Sequence, residues 1–188
     1  GPNKIFRESR LARIEGDLSR AEELEQSAMK LMPPEERVRT QISALVRKFD
    51  DRLPGPIDPA FASSILSEAD SLLLSDLSSE DGEMASLAID LLRHSISLDI
   101  GDLEQAASTR SSLEERLGPN DARVKSLDIK ARLVSKSEGL VTEEAMASAR
   151  KHIESSESPL ERIKIIHMAL EASHPNCPEW LLNEHSVF

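Results

Sequence analysis

Ten prolines divide this chain into stretches within which apolar residues recur every three or four positions. Proline cannot continue a helix from inside it, so prolines lying only between periodic stretches act as punctuation between helices. The vocabulary of the stretches agrees. Leu, Ala, Glu, Arg and Ser fill them, β-branched runs are missing, and only seven of 188 residues are glycine. The expected fold class is all-α: about eight antiparallel helices, joined by short linkers into a bundle or stacked helical hairpins. No convincing 34- or 40-residue repeat is present.

The first stretch, about 4–31, carries Leu11, Ile14, Leu18, Ala21, Leu24, Ala28 and Leu31 at alternating steps of three and four. That predicts one long helix with a narrow apolar seam, closed by Pro33-Pro34. A second helix follows through Val38, Ile42, Leu45, Val46 and Phe49, and Leu53-Pro54-Gly55-Pro56 ends it. Asp58 and Pro59 read as cap and first turn of a third helix, and Ser78 or Ser79 as the cap of a fourth with Met84, Leu87, Ala88, Leu91, Leu92 and Ile96 inside. A short break at 99–102 leads to a fifth, ended by Gly118-Pro119. Helices from Asp121, Thr142 and Ser158-Pro159 complete the set, and the tail after His174-Pro175 is expected to carry one short apolar patch, Trp180, Leu181 and Leu182, and then to fray. The expected core includes Leu45, Phe49, Phe61, Leu73, Leu87, Leu91, Leu103, Leu113, Leu127, Ile163 and Ile166. The organisation reads as a hairpin over 3–53, an acidic three-helix segment over 57–118 and a C-terminal helical segment over 119–188, packed as one compact domain. Gly1-Pro2 has the form of a protease-cleavage remnant, and the chain reads as a piece of something larger.

Charge is uneven. Residues 3–50 hold 10 basic and 9 acidic side chains, 51–118 hold 4 and 14, and 119–188 hold 9 and 11, giving a net −11. The acidic middle serves as a solvated face or as a docking surface for a basic partner. Net acidity and 3% aromatic residues argue against nucleic acid, which needs phosphate-binding cations and stacking rings. No apolar run approaches the ~20 residues of a membrane span. A single cysteine, Cys177, excludes a disulfide framework and fits a reducing, cytoplasmic setting.

Chemistry-bearing motifs are sparse. Gly-x-Ser-x-Gly and glycine-rich phosphate loops are missing. His167, Glu171 and His174 share a helix face at i, i+4 and i+7, with Cys177 three residues on, a donor set suited to zinc in a metal-dependent hydrolase. Their order fits no zincin pattern, however, and Pro175 and Pro178 interrupt the helix, so an accidental surface cluster is the expectation. His94, His152 and His185 read as lone, exposed residues. The reading is a non-enzymatic interaction module, scaffold or adaptor without cofactor or metal, whose partner is a helix or peptide. The seam of Leu11, Ile14, Leu18, Leu24 and Leu31 is the candidate contact, covered by the second helix, by another protein or by a second copy in a homodimer.

Between 67 and 118, Glu68-Ala69-Asp70-Ser71-Leu72-Leu73, Leu77-Ser78-Ser79-Glu80-Asp81, Ile89-Asp90-Leu91-Leu92, Asp99-Ile100-Gly101-Asp102-Leu103 and Leu113-Glu114-Glu115-Arg116-Leu117 follow one another. This order resembles the C-terminal helical lid of the seventy-kilodalton heat-shock chaperones over about 50 residues. The resemblance implies a module that covers or binds unfolded polypeptide. It departs from that family at Leu53-Pro54-Gly55-Pro56, which interrupts a long first helix, and in the three further helices that follow.

Overall fold

The computed structural model describes residues 1–50, 57–73, 78–135 and 140–186, and over these the chain is all-helical, with ten helices and no strand. They are α1 (Pro2–Ile14), α2 (Leu18–Lys30), α3 (Pro34–Asp50), α4 (Pro59–Leu73), α5 (Ser79–Asp99), α6 (Leu103–Leu117), α7 (Ala122–Val134), α8 (Glu143–Ser155), α9 (Pro159–Ser173) and α10 (Glu179–Ser186). The chain divides into two compact units, Gly1–Leu92 and Arg93–Phe188, with the boundary inside α5. The break expected at 53–56 lies outside the described residues.

In the first unit the single long helix expected over 4–31 is two helices. Gly16 takes φ +83°, its N–H donates to the Arg13 carbonyl (3.1 Å), and the Asp17 N–H donates to the Ala12 carbonyl (2.9 Å). That pair of bonds is the Schellman ending of a helix, whose positive φ favours glycine at position 16. Asp17 then opens α2 at once, its Oδ1 accepting the Arg20 N–H at 3.1 Å. The same device recurs between α5 and α6. Gly101 (φ +78°) and Asp102 donate to the carbonyls of Leu98 and Ser97, and Asp102 caps α6 through the Gln105 N–H at 3.0 Å.

The turn folds α2 back on α1. Small residues make the contact: Ser9, Ala12, Ala21 and Ala28 are all buried. Ser9 Oγ donates to Glu25 Oε1 (3.0 Å), and the Arg13 guanidinium grips both oxygens of Glu25 at 3.1 and 3.0 Å. Burial works to raise the Glu25 carboxyl, but Arg13 and Ser9 outweigh it and hold it below its usual range. Arg37 of α3 donates to the carbonyls of Met29 and Met32, covering the C-terminal end of α2. Val38, Ile42, Leu45 and Phe49 of α3 and Ala62, Ile65, Ala69 and Leu72 of α4 supply the buried apolar faces, and these two helices pack together. Asp58 caps α4 and Ser78 caps α5, as the sequence leads one to expect.

The second unit has its core where α7, α8, α9 and α10 meet. Ile129, Leu133, Met146, Ala149, Ile153, Ile165, Ile166, Ala169, Ala172 and Leu181 form it. Caps set the helix starts: Asp121, Thr142 and Ser158 each accept a backbone N–H of the first turn. The apolar patch of the tail lies within α10, and where fraying is expected beyond Leu182 the helix continues to Ser186. Leu181 is fully buried, and Trp180 lies under the Arg150 guanidinium at 5.4 Å from the ring centroid.

Of the expected core, Leu45, Phe49, Leu113, Leu127 and Ile166 are buried, and Phe61, Leu87, Leu91 and Ile163 half-buried. Leu73 and Leu103 are exposed. Of the expected α5 stripe, Leu92 and Ile96 are buried, Leu87, Ala88 and Leu91 half-buried and Met84 exposed; the buried spacing is Ala85, Ile89, Leu92 and Ile96. Both spacings are helical; the chosen face seats the larger β-branched side chains, Ile89 and Ile96, at zero exposure.

Candidate functional site

The described residues of the second unit enclose an open groove of about 520 Å³ between α6, α7 and α8. Its floor is apolar, with Val124 and Ile129 of α7 largely buried. Its walls are cationic in a chain of net −11: Arg110 of α6, Lys125 and Arg132 of α7, and Lys151 of α8 face two carboxylates, Glu114 and Asp128. Ser148, His152 and Ser155 of α8 add polar groups. Asp128 is shared by two guanidiniums, with Arg132 Nε at 2.7 Å and Arg110 at 3.7 Å, and Arg132 also reaches Glu144 at 3.4 Å. Among the described residues Lys125 and Lys151 make no ion pair.

One edge of the groove runs into a half-buried polar node. Ser126 Oγ donates to Glu161 Oε1, Lys130 Nζ donates to Glu161 Oε2 at 3.2 Å, and His152 Nε2 stands 3.6 Å from Glu161 Oε1. Burial works to raise the Glu161 carboxyl; Lys130, the Ser126 hydroxyl and His152 together prevail and hold it below the ordinary range. Serine, histidine and glutamate meet here, but in the wrong order for nucleophilic catalysis. A catalytic serine gives its proton to the imidazole, whereas Ser126 gives its hydrogen bond to the carboxylate that also faces His152. The arrangement ties α7, α8 and α9 together.

His94, expected to be exposed, is fully buried in α5, and neither ring nitrogen finds a hydrogen-bond partner among the described residues. Burial, reinforced by the cations Arg110 and Lys130, pushes its pKa down to about 4. His152 is half-buried rather than exposed, and the side chain of His185 lies outside the described residues.

The seam residues do not form one stripe. Leu11 and Ile14 end α1 and Leu18 opens α2, so these three sit at the turn end of the hairpin, exposed by 58%, 82% and 57%. Leu31, also exposed, lies at the other end of α2, about 20 Å away along a 13-residue helix. Leu24 is half-buried. His167, Glu171 and His174 are exposed, the Cys177 thiol points to the Leu170 carbonyl at 3.8 Å, and no group of three metal-ligating side chains is gathered among the described residues. No described helix is long and apolar enough to cross a membrane.

Sequence reasoning missed the groove because its cations are spread over three helices from Arg110 to Lys151, none within a motif. It missed the Glu161 node for the same reason. The Gly-Asp pair at 16–17, by contrast, is a local signal of the same kind as Gly101-Asp102, masked by the apolar spacing that runs across it. Comparison with protein-family models, with curated proteins and with solved structures finds no match to this chain.

Proposed function

We propose that this chain is a non-catalytic helical interaction module, an adaptor or scaffold element that meets a protein partner through helix contacts. The observation that carries the reading is the hairpin tip, where Leu11, Ile14 and Leu18 stand in solvent while the packing face of the same two helices is made of alanine and serine. Large aliphatic side chains at adjoining helix ends are costly to leave wet, by about 1.5–3 kcal/mol each when fully buried against fully exposed. A partner helix, or the tip of a second copy, would recover part of that.

Light scattering at two concentrations tests it, on the wild-type chain and on Leu11→Glu/Ile14→Glu. The expected result is association that grows with concentration and is lost in the variant with helicity intact. A wild-type chain that stays monomeric, paired with a variant that loses helix content, would place the tip in the core and end the reading. Preference for unfolded polypeptide over one defined helix would shift it toward the lid-like version. Stoichiometric zinc that disappears in His167→Ala would replace it with a metal-dependent hydrolase.

A further inference from the structure

We propose that the α6–α7–α8 groove is a binding site for a compact polyanion carrying at least two phosphate groups. This goes beyond the interaction reading and rests on a different unit of the chain. Three observations point the same way. First, the groove is concave, and its volume of about 520 Å³ is that of a small-molecule site. Second, four cations from three separate helices converge on it against Glu114 and Asp128. Asp128 is already engaged by Arg110 and Arg132, whereas Lys125 on α7 and Lys151 on α8 have no counter-ion among the described residues. Two uncommitted ammonium groups on different walls suit a ligand with at least two anionic groups, because one phosphate alone leaves a wall unanswered. Third, no Phe, Tyr or Trp is among the described residues lining the groove, so it offers no large ring as a stacking platform for a nucleobase. Recognition is by charge and hydroxyl contact, with Ser148 and Ser155 as neutral donors beside the lysines. The long-range field of the chain opposes anions. Within a Debye length of ~8 Å, however, the groove's own cations dominate.

Pyrophosphate is the probe, titrated calorimetrically into the whole chain beside inorganic phosphate. The expected result is one saturable site per chain, tighter for pyrophosphate than for phosphate and weakened by added salt. Lys125→Gln and Lys151→Gln should each weaken binding about tenfold, as loss of a charge-assisted contact does. Asp128→Asn should act the other way: by removing a carboxylate from the groove and freeing Arg110, with Arg132 left only its exposed partner Glu144, it tightens binding several-fold, which a merely structural role for Asp128 does not explain. Lys4→Gln, an exposed cation of the first unit that does not line the groove (82% side-chain exposure), should leave binding unchanged, and melting curves confirm that each variant is folded. Absence of saturable binding would overturn the proposal, as would equal weakening by Lys4→Gln. A poly-glutamate peptide that binds more tightly than pyrophosphate, and depends on Lys125, would also overturn it by making the groove a peptide surface.

Discussion

Replacing His94 with leucine removes a fully buried polar ring from the second unit. His94 is fully buried, without a partner for either nitrogen among the described residues, beside the cations Arg110 and Lys130. Its pKa falls from 6.5 to about 4 on folding. The unfolded chain therefore takes up a proton near pH 6.5 that the folded chain refuses until about pH 4. Protons favour the unfolded state in that window, so stability is lost as pH falls through it and is unaffected above it. At 1.36 kcal/mol per pKa unit the full loss is about 3 kcal/mol, of which about 2 kcal/mol has gone by pH 5. Leucine has similar bulk and no nitrogen to desolvate. His94→Leu should gain about 1–2 kcal/mol at neutral pH, from relief of the unsatisfied ring. It should also lose the His94 share of the slope between pH 7.5 and 5. Urea unfolding of both proteins at several pH values measures this, with the difference between them cancelling every other titrating group. Parallel stability curves across that window would refute the reasoning. So would a leucine variant less stable than wild type at pH 7.5, since either means the ring is satisfied in the folded protein.

Gly16→Ala and Gly101→Ala should each cost about 1 kcal/mol in chemical unfolding; an added Cβ meets no atom within 4 Å at either site, so the cost is the positive φ alone. Leu181→Ala should cost about 2–5 kcal/mol in thermal or urea unfolding and loosen α10, because Leu181 is fully buried in the core of the second unit. Amide hydrogen exchange should be faster in α1 and α2 than in α7 to α9, since alanine and serine packing buries less apolar surface than the isoleucine-rich core. Equal protection in the two regions would contradict that.

Helix starts were the most legible part of the fold. Asp58, Ser78, Asp102, Asp121, Thr142 and Ser158 are chemical signals confined to a few residues, and each caps a helix. The start at Asp17 was hidden because the three–four spacing of Leu11, Ile14 and Leu18 runs unbroken across the turn, although Gly16-Asp17-Leu18 repeats the Gly101-Asp102-Leu103 that was read as a break. Periodicity reports phase, and a hairpin that happens to conserve phase looks like one helix. On α5 nearly every second residue is apolar, so two adjacent faces compete and packing decides between them. The apolar patch at Trp180, Leu181 and Leu182 was visible in the tail but its helix was not, because eight residues are too few to form a helix alone; Leu181 is held by a core assembled from α7, α8 and α9. The groove is a product of tertiary assembly, and no local pattern announces it.

The two Gly-Asp joints have no spare residue. In each, the aspartate that completes the ending of one helix is also the cap of the next. One residue inserted there would turn the following helix by about 100° and slide it by about 1.5 Å. At the first joint the Ser9–Glu25 and Arg13–Glu25 pairs would come out of register and Ala21 and Ala28 would swing off α1. The junction between Leu117 and Ala122, with Gly118, Pro119 and Asn120 ahead of the cap, has room to absorb a change of length. Additions and deletions should therefore be tolerated at that junction and excluded at the other two, whether made by drift or by design.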